Sequence, residues 1–345
     1  MALAYSHGIF PLVYKTLKNY DQKIPSEILN SMKYKYMNIV KQNMLMTNEV
    51  INVTKLLKEN GIESIAFKGP VLSHLAYGDV VSRQYVDLDI LVDKSQLLTA
   101  IKILNKFDYV LEDNFKLNLF KNNRVIFHDI TLRKNTLLNI ELHWQLFSDE
   151  YMTGINELNI KENTKILEYQ NNKLKVFDNE IQVLYLSIHG AKHNWERIEW
   201  LVDIVRFIEN NQLNWERLIY LIDKTKTEKI LFSTLYLCKS ILNLFLPKDI
   251  LIKIEEKDIL NFSKRFEVVF YENFDYVLHQ NTYSKNISKI QFDILYGYKN
   301  KLLFIFSLIK PTELDYNTLK LPKYISFLYY IIRPFNLLIR KIRSF

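Results

Sequence analysis

Two aspartates set two residues apart, Asp87 and Asp89, stand inside the apolar run Tyr85-Val-Asp-Leu-Asp-Ile-Leu-Val92. Alternation along a strand turns both carboxylates to one side, while Val86, Leu88 and Ile90 turn to the other. The run therefore predicts a half-buried strand with one apolar face. Adjacent carboxylates on such a strand repel each other and lose hydration unless a cation lies between them. Mg²⁺ is the usual cation, taking one or two carboxylates together with substrate phosphates. An edge strand with two solvated acids is the alternative that this run alone leaves open.

Upstream, the short β-rich run Gly61-Ile-Glu-Ser-Ile-Ala-Phe67 leads directly into Lys68-Gly69-Pro70 and then Val71–Tyr77. Glycine permits close backbone approach and proline suits the first turn of a helix. The segment reads as strand, tight turn and helix N-terminus, an end whose free N–H groups and dipole favour anions. Lys68 adds a full charge, and Arg83, just before the acidic strand, is a second candidate phosphate contact.

Downstream, Leu137-Leu-Asn-Ile-Glu-Leu-His-Trp144 is another strand-like run. It places Glu141 and His143 on one face, and a third acid would complete a metal site. An exposed strand glutamate and a core or interface histidine are the plainer alternatives for these two.

Taken together, Phe67-Lys-Gly-Pro70, Arg83, Asp87-Leu-Asp-Ile-Leu-Val92 and Ile140-Glu-Leu-His-Trp144 resemble the bacterial "uncharacterised nucleotidyltransferase" family of the DNA polymerase β-like superfamily. The resemblance begins at His7-Gly-Ile-Phe-Pro-Leu-Val-Tyr14 and continues through His189-Gly-Ala-Lys-His193, Trp195 and Trp200-Leu-Val-Asp203, covering roughly residues 1–250. It implies a nucleotidyl-transfer site in which Asp87, Asp89 and Glu141 hold Mg²⁺ or Mn²⁺, with ATP or another NTP as donor. Lys68, Gly69 and Arg83 would bind the nucleotide phosphates. The superfamily's phosphate turn usually reads Gly-Ser, whereas Pro70 follows Gly69 here, so the serine contact is missing and Lys68 is its candidate replacement.

With 345 residues, 48% of them apolar and 14% aromatic, the chain can bury a core of several units. Seven glycines, seven prolines and few β-rich stretches suggest mostly helix. The expected fold is α+β: N-terminal helices over 1–60, a small mixed-sheet core over 61–180, a helical domain over 181–310 and a basic amphipathic tail over 311–345. Within the core, strand-like runs fall at Ile62–Phe67, Tyr85–Val92, Val125–Leu132, Leu138–His143 and Lys173–Phe177, with a helix over Lys94–Phe107. A single cysteine, Cys238, excludes an internal disulfide and fits a reducing cytoplasm. The first residues lack the basic segment of a signal peptide. The net charge of +8 suits nucleotides, nucleic acid or anionic lipid without choosing among them.

If Glu180–Asn210 is one helix, His189, His193, Glu196, Trp200 and Asp203 share a stripe opposite a core face of Leu184, Ala191, Ile198, Leu201, Val202 and Val205. A solvated face is the plain alternative. A tryptophan on a polar stripe favours instead a face against the cleft, with His143, His189, His193, Trp200 and Asp203 as substrate contacts. Histidines at i and i+4 also suit zinc, but the metalloprotease glutamate beside the first is absent.

The stretch 322–345 has five basic residues and no acid, and Arg333-Pro334 cuts its apolar run. It reads either as an interfacial segment on an anionic membrane, at the inner face, or as a docked C-terminal helix. The acceptor is open: a sugar, lipid-linked glycan, small molecule, peptide or RNA end, with polysaccharide or secondary-metabolite pathways suggested by the resemblance. An RNA-modifying or toxin-type enzyme and a non-catalytic membrane-associated scaffold are the rivals. The basic residues do not concentrate around the motifs, which counts against the first. Three converging acids count against the second.

Overall fold

The computed structural model describes residues 1–112, 114–121, 127–135, 138–148, 154–273, 292–309, 311, 315, 321, 325 and 327–343. Short helices α1 (Ala2–Ser6) and α2 (Phe10–Lys18) precede the long α3 (Ser26–Glu59). That helix stops at Asn60-Gly61, with Gly61 at φ +73°, a left-handed turn that favours glycine.

The sheet that follows contains β1 (Ser64–Ala66), β2 (Leu88–Val92), β3 (Val110–Leu111), β4 (Asp129–Lys134) and β5 (Leu138–His143) in the order β1-β2-β5-β4-β3. Helices α4 (Gly69–Tyr77), α5 (Leu97–Asn105) and α6 (Asn114–Lys121) interrupt it in sequence. The β2–β5 pair is parallel and the other pairs are antiparallel, so the sheet is mixed as expected. In the parallel register Asp89 stands opposite Glu141, and Leu91 opposite His143. A hairpin of β6 (Thr164–Tyr169) and β7 (Asn172–Phe177) turns on Gln170 and Asn171, both left-handed, the geometry of a two-residue hairpin loop.

The remaining elements are helical: α7 (Asn179–Lys192), α8 (Ile198–Asn210), α9 (Trp215–Thr225), α10 (Glu228–Leu242), α11 (Lys248–Glu255), α12 (Lys257–Asn273), α13 (Gly297–Ile309) and α14 (Leu328–Arg343). Among the described residues no helix is long and apolar enough to cross a membrane. Cys238 is a buried free thiol.

Strand alternation divides the packing. Leu88, Ile90, Ile140 and Leu142 face α3 and α5, where Val50, Leu57, Leu97 and Leu104 are buried with them. On the other face, Ile65, Phe67 and Leu91 enter a core continuous with Tyr185, Leu201 and Phe232 of the later helices. Each such aliphatic side chain contributes about 1.5–3 kcal/mol by leaving water. Asp89 stands on the same strand face as Leu91, the side of this second core.

Three expectations are corrected. The strand begins at Leu88, not Tyr85, because ladder pairing starts at Leu88 with β5 and at Ile90 with β1. Asp87 therefore precedes the strand, and Val86 is 69% exposed, not core. The segment Glu180–Asn210 is two helices. After Lys192 the chain reverses through Asn194 and Trp195 at φ +54° and +47°, and the Trp195 N–H donates to the Gly190 carbonyl at 2.8 Å. The Trp195 ring folds beneath Gly190, where a Cβ would stand 2.6 Å from its indole nitrogen, and packs edge-on against Phe266. The strand expected at Val125–Leu132 is seen as β4, shifted toward its C-terminal end; residues 125 and 126 lie outside the described residues.

Candidate active site

Asp89 is the centre of the site, 2% exposed and held from two sides. Lys68 caps the start of α4 in extended backbone, and its Nζ reaches Asp89 Oδ1 at 3.2 Å. Nε2 of His143 also lies 3.2 Å from that oxygen and 3.5 Å from Glu141 Oε2, without the alignment of a hydrogen bond. The other oxygen, Asp89 Oδ2, is buried with no hydrogen-bond partner. Two cationic groups thus grip one oxygen and leave its twin unpaired, a costly state for a buried carboxylate in a protein interior.

Glu141 comes beside Asp89 through the parallel register, and His143 follows on the same face of β5. Ligand atoms of Asp89, Glu141 and His143 lie within 4.8 Å of one another. Among the described residues this trio forms the compact cluster; Asp87, expected to share the metal with Asp89 and Glu141, stands at its border. Gly69 explains why Asp87 comes so near the turn. It adopts φ +53°, and a Cβ there would meet the Asp87 carbonyl oxygen at 3.0 Å.

The electrostatics follow from this crowding. Burial, then Asp89 and Glu141, push the Asp87 carboxyl up to about 7. Burial would raise Asp89 as well, but Lys68 and His143 hold it well below the usual carboxylate range. Burial opposes the charge on His143, yet Asp89 and Glu141 raise it to about 9. Lys68 is likewise held above its usual value, with Asp89 overcoming the effect of burial. At neutral pH His143 is therefore a cation steadying Asp89, and the oxygen donors remain to a metal. Asp89 Oδ2 and Glu141 offer hard carboxylate oxygens of the kind Mg²⁺ and Mn²⁺ prefer, so this cluster fits a divalent ion.

Arg83 and Asp203 are brought together rather than kept apart. Arg83 Nε donates to Asp203 Oδ2 at 2.8 Å, a buried bond, and the half-buried Tyr77 donates its hydroxyl to Oδ1 at 2.7 Å. Asp203 lies wholly buried, so it is a clamp on Arg83 and not a surface contact. Arg83 remains close enough to Asp87 to lower its pKa.

The corner after α7 breaks the helical stripe but still gathers its aromatic members. The His189 and His193 rings are 5.0 Å apart, and the Trp200 ring stands 5.5 Å from His189 and 5.3 Å from His193. Burial, then Lys68 and His193, hold His189 far below its usual range, and burial with Lys192 lowers His193 to about 4. Both are neutral rings at physiological pH. Glu196 falls in the corner itself, outside either helix.

Two participants escape a reading of the sequence. Tyr185, one turn before His189, lies under Lys68 with its ring centre 5.5 Å from Nζ. That one-turn spacing was the available signal. Glu199, buried beside Arg83 and Arg197 and pushed up to about 7 by burial and by Asp203 and Asp87, carries no sequence signal that separates it from a surface glutamate.

A family model described as "Uncharacterised nucleotidyltransferase" matches residues 1–243. No curated protein sequence matches the chain. Among solved structures, similarity extends to a lincosamide antibiotic adenylyltransferase with lincomycin bound, at 16% identity over 40% of this chain and 83% of that one, TM-score 0.31. An antigenic nucleotidyltransferase-like protein from Paracoccidioides brasiliensis is 15% identical over 53% of this chain and 88% of that one, TM-score 0.34. The Thermotoga maritima CCA-adding enzyme complexed with tRNA is 13% identical over 86% and 89%, TM-score 0.24. The family match alone carries the assignment.

Proposed function

The chain belongs to the uncharacterised nucleotidyltransferase family, and from that premise we propose that it transfers a nucleoside monophosphate from an NTP to a hydroxyl of its acceptor, with Mg²⁺ or Mn²⁺ as cofactor. The observation that carries the metal requirement is Asp89: Oδ1 occupied by Lys68 and His143, Oδ2 buried and unpaired. Asp89, Glu141 and Asp87 would hold the ion. When bound, it neutralises phosphate charge and lowers the pKa of the acceptor hydroxyl.

The residues of the chain supply the rest. His143, charged at neutral pH, fixes the rotamer of Asp89. Lys68 and the N–H groups opening α4 bind phosphate oxygens, with Arg83 a further cation held in place by Asp203. Glu141, the more exposed of the β-strand acids, receives the acceptor proton as the acceptor oxygen bonds to the α-phosphorus and pyrophosphate leaves. The neutral rings of His189, His193 and Trp200 form an aromatic wall for base or acceptor. ATP is the first donor to test. A free, buried thiol suits the cytoplasm, where NTPs are made, and residues 311–345 would make a peripheral contact at the inner face of the membrane.

Thermal melting with each NTP, with and without Mg²⁺, tests this reading. Ligand binding to the folded state raises its melting temperature. The wild-type protein should show a nucleotide shift that needs the metal, and Asp89→Asn should lose both that shift and NTP turnover. An Asp89→Asn protein that turns over NTP at the wild-type rate would remove the site.

A further inference from the structure

Arg83 lies in a stretch, residues 78–87, that belongs to no helix or strand. Irregular segments keep one conformation only where side chains tie them down. Here most of the ties come from the first helices of the chain. Lys15 Nζ donates to Asp79 Oδ2 at 2.9 Å and also to the Ser82 hydroxyl. The other oxygen of Asp79 accepts from the Val81 and Ser82 N–H groups at 2.8 and 2.7 Å, which folds the loop into a turn directly before Arg83. On the far side of Arg83, Gln84 Oε1 accepts from the Phe10 N–H at 3.2 Å, and Gln84 Nε2 donates to the Tyr5 carbonyl at 3.4 Å. Asn43 of α3 closes a third side, donating to the carbonyls of Val80 and Arg83, each at 2.8 Å.

The same N-terminal segment reaches the helix that carries Asp203. His7 Nδ1 accepts from the Ile198 N–H at 3.3 Å, and the His7 carbonyl accepts from the Glu199 N–H at 3.3 Å. These are N–H groups of the first turn of α8, which a helix start leaves without an internal partner. Gly8 lies against Glu199: at φ +72° it carries no Cβ, and a Cβ there would collide with that carboxylate. Residues 5–15 thus bond to both flanks of Arg83 and to the start of the helix holding its partner, so they set where the Arg83–Asp203 pair forms. Asp203 engages Arg83 through Nε, at the base of the fork, and leaves the forked Nη end to meet an anion. A cation fixed beforehand spares a ligand the cost of ordering it.

We propose that residues 5–15 are a working part of the nucleotide site: a brace, with His7 and Lys15 as its two ends, that positions Arg83 for the triphosphate. His7 and Lys15 are positioning residues that act through Arg83 and are not placed on the substrate. What Arg83 binds rests on the nucleotidyl-transfer reading, whereas the brace itself does not.

Calorimetric titration of the full chain with ATP and Mg²⁺ tests the brace. K15M should weaken ATP binding about fivefold, and K15R should restore it to within about twofold, because a loose Arg83 must be ordered when the phosphates arrive. In the background R83M/D203N, which removes both members of the buried pair and leaves no unpaired charge, K15M should add no further loss. Equal losses in both backgrounds, or wild-type affinity in K15M, would overturn the brace. Q84A, which frees the opposite flank of Arg83, should follow K15M and decides the question if K15M folds poorly. A readout without nucleotide separates the brace from the reading of function. Solvent exchange of the Arg83 Nε–H, followed by NMR, should be at least about tenfold faster in K15M than in the wild type. Unchanged exchange would also overturn the brace. A wild-type chain that binds no ATP, with Arg83 exchange accelerated in K15M, would count against nucleotidyl transfer and leave the brace standing as the support of Arg83.

Discussion

Asp87 is the residue whose chemistry is most altered by its setting. Its ordinary pKa of 3.8 rises to about 7 because burial and the neighbouring Asp89 and Glu141 oppose its charge. A raised carboxyl binds its proton more tightly in the folded chain, so this group's contribution to stability falls as pH climbs from about 4 to about 7, then levels off. Asp87→Asn removes that loss. In the absence of divalent metal, the variant should match the wild type near pH 4 and exceed it near pH 8 by about 2 kcal/mol, allowing for partial exposure of the group. Urea denaturation in EDTA at the two pH values measures the difference, and a constant offset would show that Asp87 carries no such strain. Asp89 behaves oppositely. Its Oδ1 is held by Lys68 and His143, so removing it leaves two cations facing each other, and a gain in stability on losing both aspartates is not expected.

At the scale of elements, the corner between α7 and α8 decides which side chains meet. Gly190 leaves room for the Trp195 ring, and that ring anchors the reversal against Phe266. Gly190→Ala pushes a methyl group to 2.6 Å from the indole nitrogen, a contact no real Cβ tolerates. Overpacking of this kind costs about 1–3 kcal/mol, and it should also disturb the His193–Trp200 contact. Calorimetry should show the single variant melting lower, with the loss reduced when Trp195→Leu is combined with it, as a double-mutant cycle reports for groups in contact. Additive losses would place the strain elsewhere.

For the molecule as a whole, the site belongs to more than the residues 61–180 that carry its motifs. Tyr185 lies under Lys68, Asp203 clamps Arg83, and the core on the acidic face runs from Ile65 through the helices to Phe304. A fragment of residues 61–180 would expose Ile65, Phe67 and Leu91 to water. It should fail to unfold cooperatively or to bind NTP. A chain ending at residue 309 keeps that core and should retain the metal-dependent melting shift. Circular dichroism and nucleotide-dependent melting of the two pieces check this, and NTP binding by the short fragment would show that the helices merely cover the site.

Local chemistry was readable along the chain. The alternation around Asp89 and around Glu141 and His143, the Asn60-Gly61 stop and the Gly69 turn are properties of neighbours in sequence, and the β5 run appears as expected over Leu138–His143. The strand start, the helix break and the two-residue β3 were not readable. Ladder partners, the Trp195 ring and a short edge strand are set by distant residues. The same holds within the site. Sequence named the acids and the cations, but only the parallel register set Asp89 beside Glu141, and only packing sent Lys68 to Asp89 and Arg83 to Asp203. Periodicity determines the face on which a side chain stands. Tertiary contacts, summed over partners scores of residues apart, determine what it faces.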